Sequence, residues 1–268
     1  MSEILFTHSY FYRRDAKQWK NKTPFPPLGT LYAAALLREN GHAVSLFDTC
    51  LAHEPRQIWP MLQNRPKYLV IYDDGFNYLT KMCLTTMREA AFEMIGYAKQ
   101  VGATVIVNSS DATDQVALYL GAGADFIVRG EGEMTLLELI QTLERNESPL
   151  DVAGISFYQN GVLSENPKRP VLQNLDALPL PAWDLVEMND YKLIWNQSGQ
   201  EFTLNIATTR GCPYKCNWCA KPIYGNRYNS RSPERVAAEI EYLIDQFGVR
   251  HFWMADDIFG LKPGWVQH

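Results

Sequence analysis

The sequence predicts an α/β fold: a doubly wound parallel sheet followed by the start of a partial (β/α) barrel. Short apolar runs alternate with helical patterns through the first 150 residues, which is typical of a parallel sheet with helices on both faces. Runs such as residues 105–107 are continuously apolar, as strands buried on both faces are. Near the C-terminal end the pattern becomes strand–helix–strand, the repeating unit of a (β/α) barrel.

The first predicted domain covers residues 1–150. Its predicted strands are residues 4–7, 43–47, 68–72, 104–107 and 125–128. Its predicted helices are residues 28–39, 82–101, 113–120 and 133–144. Asn40-Gly41 ends the first of these helices, since glycine favours the residue after a helix.

Small and polar residues follow the predicted strands, and ligands of such sheets bind beyond the carboxyl ends of the strands. The candidate ligand-binding residues are Gly29, Ser109, Ser110, Asp111, Thr113, Gly130, Glu131 and Gly132. Turn and capping chemistry favours the same residue types and remains an alternative. Gly130-x-Gly132 is not a dinucleotide fingerprint, because the third glycine is missing and the pair follows the fifth strand.

Residues 151–200 are predicted to connect two domains. Residues 154–158 and 162–163 flank Gln159-Asn160-Gly161, a hairpin signal. Residues 167–181 are rich in proline, which fixes φ and predicts a semi-rigid connector.

The second domain covers residues 201–268. A strand over residues 202–208 leads into a cysteine-rich loop. Ser232 caps a helix that has Pro233 at its first position and ends at Gly248. A strand over residues 249–254 follows, with Asp256 and Asp257 at its carboxyl end. In a (β/α) barrel the cysteine loop and these aspartates share one face.

Cys212, Cys216 and Cys219 have the spacing Cys-x-x-x-Cys-x-x-Cys. Three thiolates on one loop can bind three irons of a cubic iron–sulfur cluster and leave the fourth iron open. A structural zinc site and a redox pair formed by Cys216 and Cys219 are the alternatives. The zinc reading lacks an obvious fourth ligand, and the redox reading leaves Cys212 unexplained.

This loop resembles the signature of radical S-adenosylmethionine enzymes, with Trp218 at the aromatic position. The flanking residues 209–213 and 230–234 resemble the cobalamin-dependent branch of that family. The resemblance implies a [4Fe–4S] cluster on the three cysteines and S-adenosylmethionine on the open iron. It also implies reductive cleavage to a 5′-deoxyadenosyl radical, followed by methyl transfer to an unactivated carbon or another radical rearrangement. Trp218 is expected near the adenine, and Asp256 or Asp257 at the methionyl amino group.

Residues 26–29, 40–42 and 128–133 resemble the Rossmann-like cobalamin-binding domain of the same branch. The resemblance implies cobalamin over the strand ends, held by the candidate residues named above. The sequence lacks an Asp-x-His-x-x-Gly motif, which implies binding without a histidine below cobalt. A small-molecule substrate and an external electron donor of the flavodoxin or ferredoxin type are further expectations.

Composition narrows the class of protein. A net charge of −5 gives no basic surface for nucleic acid, and no apolar run approaches the roughly 20 residues of a membrane span. The N-terminus lacks the pattern of a signal peptide. Five cysteines, three of them clustered, favour metal ligation in a reducing cytoplasm. Cys50 and Cys83 are expected to be buried as small apolar residues.

Residues 201–268 hold about two βα units, because each βαβ unit needs roughly 30 or more residues. Two alternatives therefore stay open beside the methyltransferase. One is a radical enzyme whose first domain is only a scaffold. The other is a non-catalytic cofactor-binding protein or fragment that binds a cluster or cobalamin without turnover.

Overall fold

A computed structural model describes residues 3–81, 84–216 and 223–267, and it confirms the α/β class. The central sheet has seven strands: β1 Ile4–Thr7, β2 Val44–Phe47, β3 Tyr68–Tyr72, β4 Thr104–Asn108, β5 Phe126–Val128, β6 Ile155–Gln159 and β7 Val162–Glu165. Their order is β2-β1-β3-β4-β5-β6-β7. The first five strands are parallel, and β6 and β7 run antiparallel at one edge.

The helices follow the strands in chain order. They are α1 Ala16–Asn21, α2 Leu28–Glu39, α3 Trp59–Leu62, α4 Leu84–Gln100, α5 Ser110–Asp114, α6 Val116–Gly121, α7 Glu133–Glu144, α8 Met188–Asn196 and α9 Pro233–Phe247. No described helix has the length and apolar character needed to cross a membrane.

Two hydrophobic cores cover the two faces of the sheet. Alternate residues of a strand enter different cores: Val70 of β3 lies in one core, and Leu69 and Ile71 lie in the other. Helices α2 and α7 contact each other on the first face, and α4 packs on the second. This division of side chains is what a doubly wound sheet requires.

The chain crosses from one side of β1 to the other after β2, because β1 lies between β2 and β3. Such a reversal creates a crevice at the carboxyl ends of the strands, where open α/β sheets bind ligands. The loop that leaves β3 at Asp73 therefore borders the predicted ligand edge.

Residues 203–254 add a small second sheet beside this core. Strands β8 Thr203–Ile206 and β11 His251–Met254 pair in parallel, and α9 connects them. Two-residue strands β9 Thr209–Arg210 and β10 Asn229–Ser230 pair antiparallel. Leu204, Val236 and Leu243 share one hydrophobic core with α2, so the second part packs directly on the first.

Several elements differ from the sequence prediction. The single helix expected over residues 113–120 is two short helices, α5 and α6, that meet at Gln115. The helix predicted over residues 82–101 is described from Leu84 to Gln100, and its predicted start at residues 82–83 lies outside the described residues. The hairpin pairs with β5 and so extends the first sheet. The domain boundaries at residues 150 and 200 stay a prediction.

Candidate functional site

The cysteine loop leaves β9 and returns at β10, whose pairing closes the loop at its base. Cys212 is half-buried, Cys216 is exposed, and both are free thiols. Trp218 and Cys219 fall in residues 217–222, outside the described residues. The structure therefore places two of the three predicted cluster ligands on one closed loop.

Gly211 shapes the start of this loop. Its φ is +82°, a conformation that favours glycine. A Cβ at this position would overlap the carbonyl oxygen of Arg227 and lie 3.0 Å from that of Tyr224. The two ends of the cysteine loop thus approach each other too closely for any side chain at residue 211.

Asp256 ties β11 to the strand that delivers the cysteine loop. Its Oδ1 accepts hydrogen bonds from the backbone N–H groups of Thr208 (2.7 Å) and Thr209 (2.9 Å), and its Oδ2 accepts one from the Thr208 hydroxyl. Burial raises the pKa of Asp256 although these bonds oppose the rise. Asp257 is exposed. The predicted contacts of both aspartates with S-adenosylmethionine stay predictions, and Asp256 has an architectural role as well.

Arg210 joins the cysteine loop to the carboxyl edge of the first sheet. Its Nη1 donates to Oε1 of Glu131 at 2.6 Å, and its Nη2 donates to Oε1 of Glu133 at 2.8 Å. The three side chains are 4%, 8% and 3% exposed, so these ion pairs are shielded from water. The sequence alone does not predict these ion pairs, because Glu131 and Glu133 stand almost 80 residues before Arg210.

Three aromatic rings complete the environment of Arg210. The guanidinium carbon lies 5.3 Å from the ring centroids of Tyr32 and Phe76 and 5.0 Å from that of Tyr224. Phe76 and Tyr224 also stack on each other at 5.1 Å. Cation–π contacts of this kind gain strength when the cation is withdrawn from water.

The loop after β3 contributes a buried carboxylate to the same edge. Asp74 Oδ1 accepts hydrogen bonds from the N–H groups of Gly29 (2.9 Å) and Phe76 (3.0 Å). Its Oδ2 is buried without a hydrogen-bond partner among the described residues. Burial raises the pKa of Asp74 to about 6. Gly29, a predicted cofactor contact, packs against Asp74, since a Cβ there would lie 3.1 Å from Oδ1.

The predicted ligand residues after β4 make contacts within the protein. The Ser109 hydroxyl accepts from the Ala112 N–H and caps α5. Asp111 forms a two-pronged ion pair with Arg88. The Thr113 hydroxyl donates to the Ser109 carbonyl. Ser110, the first residue of α5, is half-buried. Their capping role is present in the structure, and their cofactor role stays a prediction.

The predicted ligand residues after β5 separate into two kinds. Gly130 has φ +72°, and a Cβ added there would lie 4.0 Å from the carbonyl oxygen of Ile223, just beyond the cysteine motif. Gly132 packs against Asn108, where a Cβ would lie 2.7 Å from Nδ2. Glu131 is engaged by Arg210. These residues therefore bring the strand edge and the cysteine loop together, and their contact with a cofactor stays a prediction.

The chain matches no protein-family model. It is 30% identical over 245 residues to an uncharacterised methyltransferase of Pyrococcus horikoshii, with 90% of this chain and 50% of the relative covered. It is 30% identical over 241 residues to the anaerobic magnesium-protoporphyrin IX monomethyl ester cyclase of Synechocystis, with 88% and 46% covered. The chain thus spans about half the length of these curated relatives.

The fold is similar to that of the cobalamin-dependent S-adenosylmethionine radical enzyme OxsB, solved with aqua-cobalamin and S-adenosylmethionine bound. The TM-score is 0.76 at 19% identity, and the match covers 100% of this chain and 35% of OxsB. The overall fold of this chain thus recurs as part of a larger solved protein. The chain is thus similar in sequence to a curated methyltransferase and a curated cyclase, and similar in fold to a cobalamin-dependent S-adenosylmethionine radical enzyme.

Proposed function

We propose that this chain binds a [4Fe–4S] cluster through Cys212, Cys216 and Cys219, with S-adenosylmethionine on the open iron and cobalamin at the carboxyl edge of the sheet. The observation that carries the proposal is the docking of the cysteine loop on that edge through Arg210. A reaction that uses both cofactors needs them on facing surfaces, and this contact supplies such an arrangement.

The residues present fit both groups. For the cluster, Cys212 and Cys216 are free thiols on a loop closed at its base, and thiolates are the usual ligands of iron–sulfur clusters. For cobalamin, the edge carries a glycine with positive φ at residue 130 and the unpartnered buried oxygen of Asp74. An amide group on the rim of a corrin ring is a suitable donor for such an oxygen.

When bound, the cluster supplies the electron for reductive cleavage of S-adenosylmethionine, and cobalamin supplies the methyl group. The chain's own residues position these groups. Asp256 fixes the passage from β8 into the cysteine loop, and Gly211 turns it. Tyr224 and Ile223 cover the edge at Gly75, where a Cβ would lie 3.0 Å from the Tyr224 hydroxyl and 3.1 Å from Ile223 Cδ1. These contacts limit the access of water between the loop and the sheet.

Methyl transfer is the proposed reaction of the whole protein, by analogy with the methyltransferase relative. A ring-forming radical reaction is the second candidate, because the cyclase relative is equally identical, at 30%. The substrate is a small molecule under either proposal. A reducing cytoplasm and an electron donor of the flavodoxin or ferredoxin type are proposed with them, since the cluster must be reduced before it can act.

The test is anaerobic reconstitution with iron and sulfide, followed by electron paramagnetic resonance of the reduced chain with and without S-adenosylmethionine. We expect a [4Fe–4S]⁺ signal that changes when S-adenosylmethionine is added. Replacement of Cys212, Cys216 or Cys219 by serine should abolish this signal, whereas replacement of Cys50, a buried cysteine outside the loop, by alanine should keep it. Bound zinc without a cluster signal would refute the proposal.

Cobalamin binding is tested separately by gel filtration after incubation with hydroxocobalamin. We expect the visible spectrum of cobalamin to elute with the protein. A chain that forms the cluster and retains no cobalamin would support a radical enzyme whose first domain is a scaffold. A cluster signal that S-adenosylmethionine does not change would support a non-catalytic binder instead.

A further inference from the structure

Arg210, Glu131 and Glu133, here called the Arg210 clamp, form a buried ion-pair cluster between two sequence motifs. Arg210 precedes Cys212 by two residues, and the glutamates lie where β5 passes into α7. Only one residue therefore separates Cys212, the first proposed ligand, from an arginine that contacts the predicted cofactor edge of the sheet.

The clamp leaves no oxygen of Glu131 unengaged. Oε1 accepts from Arg210, and Oε2 accepts from the backbone N–H of Leu172 at 2.6 Å. Leu172 belongs to the proline-rich connector, and the Leu172 carbonyl accepts from Asn229 Nδ2 in β10 at 3.1 Å. Glu131 therefore joins the sheet edge, the connector and the base of the cysteine loop.

The charges in the clamp depend on one another. Burial, and then the neighbouring Glu133 carboxylate, raises the pKa of Glu131. Removal of the guanidinium would leave two buried carboxylates facing each other, an arrangement that is strongly unfavourable.

We propose that Arg210 is a positioning residue, which docks the cysteine loop on the carboxyl edge of the sheet through Glu131 and Glu133 and thereby couples binding at the two cofactor sites. This inference rests on the proposed function for the identity of the cofactors. The docking itself is a property of the polypeptide, so it can be tested without either cofactor.

The first experiment measures docking in the cofactor-free chain. Lys215 is exposed in the middle of the cysteine loop, and trypsin cleavage after Lys215 reports how often the loop leaves the sheet. We expect Arg210→Gln and Glu133→Gln each to raise the cleavage rate at least about tenfold, because breaking a buried ion pair is costly. The double variant should cleave no faster than Arg210→Gln, since both changes remove the same interaction.

Three further variants separate docking from general stability. Arg38→Gln removes an exposed ion pair with Asp184 and should leave the rate unchanged. Glu239→Gln breaks the buried ion pair between Glu239 of α9 and Arg231, and it should lower the unfolding temperature without the selective increase in cleavage at Lys215. Arg210→Lys keeps the charge and loses the two-pronged geometry, so its cleavage rate after Lys215 should lie between those of wild type and Arg210→Gln. If Arg210→Gln does not fold, Glu131→Gln and Glu133→Gln carry the test.

The second experiment measures coupling in the reconstituted chain. Arg210→Gln should still form a cluster on its cysteines, but its paramagnetic signal should respond less to S-adenosylmethionine, and its hydroxocobalamin dissociation constant should rise at least about tenfold. An Arg210→Gln chain with the wild-type cleavage rate and wild-type cobalamin retention would overturn the proposal. A wild-type chain that forms no cluster would refute the proposed function, while the proteolysis result would still decide the docking.

Discussion

Replacement of Gly211 by alanine should prevent the cysteine loop from closing and so reduce its capacity for iron. Gly211 has φ +82°, and its missing Cβ would overlap the carbonyl oxygen of Arg227 and lie 3.0 Å and 3.2 Å from those of Tyr224 and Gly225. All three obstacles are backbone atoms, which cannot rotate away as the end of a flexible side chain can. The backbone of the loop must therefore move.

The expected cost follows from these two effects. A left-handed conformation costs an alanine roughly 1–2 kcal/mol, and overpacking typically costs about 1–3 kcal/mol more. The sum of about 2–5 kcal/mol shifts the equilibrium between closed and open loop by a factor of about 30 to a few thousand. Gly248→Ala is the matched control, because φ is +65° there and nothing lies within 4 Å of the added Cβ.

The assay is the iron and acid-labile sulfide content after anaerobic reconstitution, together with far-ultraviolet circular dichroism. We expect Gly211→Ala to keep its overall fold and lose most of its iron, and Gly248→Ala to lose only stability. Wild-type iron content in Gly211→Ala would show that the close approach of the loop ends is irrelevant to the cluster, and the geometric reasoning would then be wrong.

Two further predictions concern stability and pH. Glu239→Gln should lower the free energy of unfolding in urea by about 3–5 kcal/mol. It removes the carboxylate whose Oε2 lies 2.5 Å from Arg231 Nη1 and so leaves the Arg231 guanidinium buried without a counter-charge. Arg38→Gln breaks an exposed ion pair and should lower the same free energy by less than about 1 kcal/mol. Equal losses in the Arg38→Gln and Glu239→Gln variants would contradict the argument from burial. Because the pKa of Asp74 is raised to about 6 from 3.8, this carboxyl stabilises the fold when protonated, and its contribution is lost as pH rises from about 4 to 6. Relative to wild type, Asp74→Asn should therefore gain about 2 kcal/mol of stability between pH 4 and pH 7. Urea unfolding of both proteins at pH 4 and pH 7 measures this change. If the stability of Asp74→Asn relative to wild type is the same at both pH values, Asp74 does not titrate in this range.

Most elements of the sheet could be predicted because their signals are local. The bounds of β1, α2, β3, α7 and α9 match the sequence prediction, since apolar periodicity, Gly or Asn stops and the Ser232-Pro233 cap act over a few residues. Helix α8 was not predicted, although Met188, Tyr191 and Trp195 are buried at helical spacing. Its position directly after the proline-rich connector obscured that pattern.

The candidate site was less predictable, because its main contacts join distant parts of the chain. The cysteine spacing identified the loop from a few neighbouring residues. The partners of Arg210 could not be found in the same way, because a single sequence does not show which carboxylate faces which cation. Ser109 and Asp111 show the opposite difficulty: residues suited to binding a ligand are equally suited to capping a helix, and in the structure they make internal contacts.

The segment between α1 and α2 illustrates how one motif can serve the fold and the site together. Residues 24–27, Pro-Phe-Pro-Pro, lie between the first sheet and the second part of the chain. All four carbonyls of this segment accept hydrogen bonds. The donors are Trp195 Nε1 for the carbonyl of Pro24 (2.7 Å), Cys50 Sγ for that of Phe25 (3.6 Å), Asn205 Nδ2 for that of Pro26 (3.1 Å) and the Leu31 N–H for that of Pro27 (3.0 Å). Proline has no N–H, so a proline-rich segment can be buried at such a junction without leaving donors unpaired. The segment ends where α2 begins, next to Gly29 and Asp74. The contacts that join the two parts of the protein therefore also fix the edge at which we propose that cobalamin binds.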